Sequence, residues 1–538
     1  MFVDARSVPT GTIIETEVCI VGSGAAGITL AREFTNSGFR VVLLESGDTE
    51  FQTATQELYA GSNIGRYYFD PDSAGLRLRY FGGTTNVWGG WSAILDPLDF
   101  EMREGVAYSG WPFSRAYLEP WYQRAQTVLQ LGPYGYASSD WGIAPADIPP
   151  PFNGPHFNCQ VLQLSPPTRF APVYAPELRR ASRLTVYLNA NALRFDTSDS
   201  GDNVQQLSVG VLPDRRLSVR ARIYVLAAGG IENARLLLLS SKDGGNGLGN
   251  DYDLVGRFFM VHIEYPGGII ALANQDMDLK FNTGVGGASY NRLGSPQKFV
   301  SYVCLSEETR RKLRLPQLRI IFARLMDEPS QHGDFLENIR SVMRDIFMTR
   351  PIDDRTNRRG GFVQDLRSVM RDIYDVTTYI LRKVQFGAGA LVVHCSSEQM
   401  PNPDSRIGLG SATDGFGLRK VAINWQLTAQ DKRGMAAGHR LLGAEVGRVG
   451  LGRFRSSVTD DDINWPQGMF GNQHNIGTTR MHRDPNSGVV DENCRVHGVA
   501  NLYVAGSSVF PTQGGANPTL TIVALALRLA DHIKERLK

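Results

Sequence analysis

Gly22, Gly24 and Gly27, in EVCIVGSGAAGITLAREF, stand at the spacing of a turn that receives a phosphate. The first glycine permits a tight turn, the second lets backbone approach a pyrophosphate, and the third, just past Ala26, lets a helix lie close on the preceding strand. An anion held there meets the unpaired N–H groups at the helix start. Glu45, followed by Ser46, closes the apolar run RVVLLE 18 residues beyond Gly27, close to the roughly 20 at which a carboxylate reaches a ribose hydroxyl. His474 poses a different question. It sits in GNQHNIGTTRM, a run of small and polar residues with nothing obvious to bury an imidazole against.

The elements that must position these groups are legible in order. Val18 to Val21 reads as a strand, Ile28, Leu30, Ala31 and Phe34 fall on one helical face, and RVVLLE reads as a second strand, so the spacing predicts a βαβ unit. RIYVLAAGGIENARLLLLS, Arg222 to Ser240, repeats the order of strand, turn (Ala228, Gly229) and helix. In the tail, NLYVAG is strand-like and ends at Gly506 and Ser507. A Pro/Gly-rich turn then leads through Asn517, Pro518 and Thr519 into a helix from about Leu520 to Ile533. RYFGGTTNVWGGW adds a loop, 79–92, in which Gly82, Gly83, Gly89 and Gly90 bracket Thr84, Asn86 and Val87. Backbone and short polar side chains there suit a large planar ligand. The expected dinucleotide unit therefore spans 1–250 and 470–538.

Residues 251–469 carry short strand-like runs, Arg257 to Leu272, Lys298 to Leu305, Gly389 to Ser396 and Lys420 to Trp425, and read as a substrate domain. Within it RSVMRDI occurs at 340–346 and again at 367–373, each copy with apolar residues at helical spacing. This predicts a helical insertion over 333–385, a hairpin packed on its own domain with the polar TRPIDDRTNRRGG as a loop. A lid or an oligomer contact is the first alternative, and docking of a redox partner or a membrane surface the second.

Composition narrows the function. With 42% hydrophobic and 20% charged residues the chain reads as an ordinary globular protein, and a net charge of +2 offers no footprint for nucleic acid or an anionic membrane. Cys19, Cys159, Cys304, Cys395 and Cys494 are scattered without a C-x-x-C pair, which fits a reducing cytoplasm better than a disulfide framework or a thiolate metal site. No stretch reaches the ~18 apolar residues of a membrane span, and the start lacks the basic and apolar regions of a signal peptide. Spacings among His474, His482 and His497 follow no metal pattern, so no metal is expected. His262 and His394, in apolar strand-like runs, read as satisfied core histidines, with a substrate contact as the alternative should either face the bound cofactor.

Taken together, the glycine fingerprint, GGTTNVWGG, VLAAGGIENARLLL, EQMPNPDSRIGL, HNIGTTRM and AGSSVFPTQGGANPTLTIVALALRLADHI resemble the glucose-methanol-choline (GMC) oxidoreductases over nearly the whole chain. The GGT-x-N-x-W-GG cluster is most similar to bacterial pyranose or glycoside oxidoreductases and sugar dehydrogenases. The resemblance implies FAD, an α/β FAD-binding Rossmann-like domain, and an α+β substrate domain whose antiparallel sheet covers the flavin. It implies His474 as the catalytic histidine and Asn517 as its partner.

Those residue types suit alcohol oxidation, which needs a base of near-neutral pKa and an amide to hold the hydroxyl oxygen. The expectation is an enzyme that oxidises a secondary hydroxyl of a pyranose or glycoside and passes electrons to O₂ or to a quinone or cytochrome. The alternatives are a primary or aromatic alcohol dehydrogenase, or a lyase without net redox change. Where some relatives carry a flavin-linking histidine this chain has Val87, which implies noncovalent FAD. Gln473 and Gln513, adjoining the motif residues, are candidate substrate contacts. Association into oligomers is left open.

Overall fold

A computed structural model describes residues 1–65, 77–149, 152–241, 245–274, 298–324, 390–459, 461 and 464–538. The repeat-bearing segment 333–385 lies outside the described residues.

Ile13–Val21 runs through the middle of an eight-stranded sheet, ordered Phe2–Asp4, Leu184–Leu188, Val41–Leu44, Ile13–Val21, Arg215–Leu226, Val204–Val211 and Asn191–Thr197. The first five of these strands are parallel, and Leu502–Val504 joins by pairing parallel with Arg215–Leu226, so both ends of the chain build one sheet. Parallel strands covered on both faces read as continuous apolar runs; Val41–Leu44 is buried at every position. Helices Ala25–Phe34 and Thr519–Leu537 pack against each other. Their apolar faces, including Ile28, Leu30, Phe34, Leu520, Val523 and Leu527, are buried.

A second sheet is antiparallel, ordered Gly452–Ser456, Ile263–Leu272, Ala390–Ser397, Leu318–Arg324, Lys298–Leu305, Phe157–Leu164 and Trp91–Ser92, with Phe470–Gly471 paired to Ile263–Leu272. Phe157–Leu164 and Trp91–Ser92 belong to this sheet, so the span 1–250 is shared between the two sheets. The Lys420 to Trp425 run falls outside it. Arg419–Asn424 pairs with Arg406–Thr413 and Gly61–Asn63 in a separate three-stranded sheet, because Gly61–Asn63 offers it a parallel edge. All five cysteines are free and buried.

Candidate functional site

The turn after Ile13–Val21 needs its glycines for two different reasons. Gly22 holds φ +99°, where a Cβ would meet the Ala227 carbonyl oxygen at 2.7 Å, and a Cβ on Gly27 would lie 1.8 Å from the Gly22 carbonyl oxygen. Both contacts are backbone and cannot give way. At Gly24, Gly229 and Gly506 an added Cβ would meet nothing within 4 Å. These glycines follow three adjacent parallel strands and border open space at their carboxyl ends, where open α/β sheets take ligands. Gly24 also caps Ala25–Phe34 with no side chain, leaving helix N–H groups free for an anion. The residues present therefore fit a dinucleotide.

The 79–92 loop is laid over this turn. Gly82 N–H donates to the Ser23 carbonyl at 3.1 Å, and a Cβ on Gly83 would stand 3.2 Å from Gly24 Cα. Asn86 turns its amide back onto the Phe81 carbonyl (2.9 Å), while Thr84 and Gly89 are exposed. Glu45 is buried and accepts from Ser23 N–H, Ser23 Oγ, Ser46 Oγ and Gly47 N–H, tying the first βα turn to the end of the next strand. A ribose hydroxyl would share that carboxylate with these four donors.

His474 is fastened to both sheets. Ser507 Oγ donates to the Asn475 carbonyl at 2.6 Å, Thr478 Oγ1 donates to Gly230 O at 2.5 Å, and Gly477 N–H donates to Ser507 O at 3.2 Å. The loop after His474 is thus stitched to the two βα turns that carry Gly229 and Gly506. On its other side, Phe470–Gly471 pairs with the strand of the second sheet that begins at Ile263, and Asn472 N–H donates to His262 O at 3.0 Å.

Four side chains then meet around the imidazole. His262 Nδ1 lies 2.9 Å from His474 Nδ1, and the other His262 nitrogen, Nε2, is 3.0 Å from the Gly514 carbonyl oxygen. Asn472 Oδ1 accepts the His474 backbone N–H at 3.0 Å, and its Nδ2 is 2.8 Å from His474 Nδ1. Asn517 Nδ2 lies 3.3 Å from His474 Nε2, and Arg319 Nη1 donates to Asn517 Oδ1 at 2.9 Å. Helix Thr519–Leu537 is capped by Pro518, so the Asn517 side chain is not its cap and turns into the site instead.

This arrangement holds His474 uncharged. Burial pushes its pKa well below the ordinary histidine value instead of leaving it near neutrality as expected from the sequence, and His262 and Arg319 push it further in the same direction. His262 is lowered to about 3, by burial and then by Arg319. A neutral imidazole with an amide N–H beside it can take a hydroxyl proton while the amide grips the oxygen.

Arg319 and Asn472 escaped the sequence reading, which took His262 first as a core histidine. His262 is buried, as a core histidine would be, but its ring faces the site. The signal was present in FFMVHIEYPG: His262, just before the strand Ile263–Leu272, stands two residues from Glu264 in an apolar run, the spacing of one face of an extended chain. Glu264 accepts from Ser396 Oγ (2.8 Å) and Asn472 Nδ2 (3.0 Å), and burial raises its pKa. Arg319, alone among apolar neighbours in LRIIFA, is directly opposite Ser396 in the sheet.

The glutamine candidates divide. Gln473 is half-buried, and its amide makes no hydrogen bond among the described residues. Gln513 is fully buried; its Oε1 accepts from Gln399 N–H at 3.0 Å, and its Nε2 has no hydrogen-bond partner among the described residues. A bound heteroatom would satisfy that donor.

Gly514, which presents its carbonyl to His262, is itself pinned. Its φ is +59°, a Cβ would fall 2.3 Å from Asp99 Oδ2, and its N–H donates to Glu398 Oε1 at 3.3 Å. Glu398 belongs to a buried ion cluster. Arg103 Nη1 and Nη2 donate to its two oxygens at 2.9 and 2.5 Å, and Arg310 contacts Asp99 (2.6 Å), Asp96 (3.1 Å) and Glu398 (3.4 Å). Among the described residues no group of three or more His, Cys, Asp or Glu could hold a metal ion, and no helix is long and apolar enough to cross a membrane.

The chain is similar to known oxidoreductases. Residues 401–526 match the family model described as GMC oxidoreductase. The chain is 25% identical to 6'''-hydroxyparomomycin C oxidase of Streptomyces lividus, covering 97% of this chain and 92% of that protein. It is 26% identical to paromamine 6'-oxidase of Streptomyces fradiae, covering 96% and 91%. A shorter match, 32% identical over 24% of each chain, is to C-glycoside 3-oxidase of Microbacterium trichothecenolyticum. Among solved structures, pyridoxine 4-oxidase from Mesorbium loti shares the fold at a TM-score of 0.57 and 18% identity, over 96% of this chain and 99% of that one.

Proposed function

We propose that the chain is an FAD-dependent oxidoreductase of the GMC type, a reading supported by the family match over residues 401–526 and by the full-length similarity to sugar oxidases, and that it oxidises a secondary ring hydroxyl of a pyranose or glycoside to a ketone. The observation that carries this reading is the pairing of His474 Nε2 with Asn517 Nδ2 at 3.3 Å, on a loop tied to the glycine-lined ends of the parallel strands. Gly22, Gly24, Gly27, Gly229, Gly506 and the 79–92 loop would hold the FAD. When bound, the flavin supplies the acceptor for the hydride that leaves the carbon bearing the hydroxyl.

The chain's own groups do the rest. Asn517 N–H holds the hydroxyl oxygen, and His474 Nε2 takes its proton, so the O–H bond breaks as an N–H bond forms. Fixing that oxygen between two groups also fixes the adjacent carbon, which is how positioning lowers the barrier. Burial of the site keeps water from competing for the base. Val87 has no nucleophilic atom, so FAD is held noncovalently. A second reading, oxidation of a primary hydroxyl, draws on the relative named paromamine 6'-oxidase.

The test is anaerobic mixing of the holoenzyme with glucose, its glycosides and simple alcohols. A pyranose or glycoside should bleach the yellow flavin, with a ketosugar as product. An aldehyde product would favour the second reading. A spectrum unchanged by every sugar would overturn both and leave the lyase alternative. Peroxide formed under air separates O₂ from a quinone or cytochrome acceptor.

A further inference from the structure

The contacts around His474 form a single chain whose two ends admit no ambiguity. At one end stands the Gly514 carbonyl, which can only accept a hydrogen bond; at the other stands the Arg319 guanidinium, which can only donate. Direction can therefore be followed inward from both ends.

From the Gly514 end, the carbonyl oxygen requires His262 to carry its proton on Nε2. A neutral imidazole has one N–H and one bare nitrogen, so His262 Nδ1 is bare. At 2.9 Å, that bare nitrogen needs a donor, and the atom facing it is His474 Nδ1. From the Arg319 end, the guanidinium requires the Asn517 atom it touches to be the amide oxygen, which turns the Asn517 N–H₂ toward His474 Nε2. A donor facing Nε2 requires that nitrogen to be bare. Both ends assign the same tautomer: proton on Nδ1, lone pair on Nε2.

One contact opposes this. Asn472 Nδ2 lies 2.8 Å from His474 Nδ1, and the amide cannot be reversed, because its oxygen accepts the His474 backbone N–H while its nitrogen donates to Glu264. With the proton on Nδ1, this one pair sets donor against donor. With the proton on Nε2, two pairs fail: Asn517 faces an N–H, and two bare nitrogens of His262 and His474 face each other. Two satisfied contacts outweigh one, since each unmatched buried pair costs about 1–3 kcal/mol.

We propose that His262 and Arg319 are positioning residues that together fix His474 as the Nδ1–H tautomer, so that its bare Nε2 faces the hydroxyl to be oxidised. This rests on His474 serving as the base in alcohol oxidation. His262 touches neither proton being transferred nor reacting carbon; it supplies the acceptor without which Asn472 would pull the imidazole into the unproductive tautomer. When Nε2 takes the hydroxyl proton, the Nδ1 proton stays in its bond to His262, and the imidazolium so formed is stabilised by that bond. Arg319 acts in parallel by denying Asn517 the reversed amide, whose oxygen would compete for the hydroxyl proton.

The test is ¹⁵N spectroscopy of histidine-labelled FAD holoenzyme, with the His474 signals identified by their loss in His474→Gln. Wild type should show a protonated-type Nδ1 and a bare-type Nε2 for His474. His262→Phe removes the acceptor and should move His474 to the opposite tautomer, with kcat down on the order of 10²-fold or more, as expected when a base is held in the wrong tautomer, and KM little changed. His262→Asn places an amide oxygen where Nδ1 was and should restore most of kcat and the wild-type pattern. A bare Nδ1 in the wild-type spectrum overturns the proposal even if sugars bleach the flavin. Equal kcat losses in His262→Phe and His262→Asn with unchanged His474 signals do the same. Failure of every sugar to bleach would strike the sugar reading alone, because the tautomer is read without substrate.

Discussion

Two buried polar clusters lie on either side of Gly514 and follow opposite rules. In the ion cluster, Glu398 meets Arg103 through both oxygens and also takes the N–H groups of Gln317 and Gly514, while Arg310 spans Asp96, Asp99 and Glu398. Charge is matched by charge. In the His474 cluster Arg319 and the Glu264 carboxyl stand at the margins of neutral imidazoles and amides, and His474 Nε2 keeps a lone pair answered only by a weak contact at 3.3 Å. A charge-paired cluster holds its shape, although Arg103 Nε and Arg310 Nε are left without partners within it; a cluster of neutral groups around a bare nitrogen has an atom left to react. Buried ion pairs offset their desolvation only with good geometry and further hydrogen bonds, which the first cluster supplies. The second differs in centring on a neutral imidazole, held uncharged chiefly by burial, rather than on paired charges.

The largest expected effect tests the reactive side. His474→Ala should lower kcat by roughly 10²–10⁴-fold, the usual worth of a general base, while the yellow FAD stays bound and the melting temperature barely moves. Absorbance and steady-state rates check this. A large loss of stability instead would make His474 a structural residue like its neighbours.

Next comes the charge-paired side. Glu398→Gln should destabilise the fold by about 3–5 kcal/mol, because it leaves Arg103 and Arg310 buried beside an uncharged amide. Denaturant melts measure it. Activity should fall as well, since Glu398 fixes Gly514 and Gly514 fixes His262. A variant of unchanged stability would erase the distinction between the clusters.

The smallest effect is in pH. The folded pKa of His262, about 3, lies below its ordinary 6.5, so the neutral ring's contribution to stability is complete above pH 6.5 and drains away as pH falls toward 3. Asp99 works the other way: burial, opposed by Arg310, raises it from 3.8 to about 6, so its proton favours the fold increasingly as pH falls from 6 to 3.8. Between pH 6.5 and 4, His262→Phe should lose less stability on acidification than wild type, and Asp99→Asn should lose more. Melting curves at several pH values check both slopes, and parallel curves would mean that neither group is coupled to folding.

What the sequence determined by itself was the part of the molecule built by neighbours in the chain. The glycine spacing of Gly22, Gly24 and Gly27, the strands and helices flanking it, and the Asn517-Pro518-Thr519 turn into the last helix are local patterns, since turn conformation and hydrophobic period are set within a few residues. The motif order also marked His474 and Asn517 as candidates.

Tertiary structure alone decided who stands beside them. His262 and His474 are 212 positions apart, and Arg319 and Asn517 are 198 apart. Each pair meets only because antiparallel register sets Ile263 opposite Gly471 and Arg319 opposite Ser396. The same register drew Phe157–Leu164 into the second sheet, although its place in the chain suggested the first. A lone histidine or arginine in an apolar strand looks alike whether it satisfies a core or orients a base. The difference lies in which nitrogen meets which oxygen across the sheet, and sheet pairing between distant segments is not written in any local period.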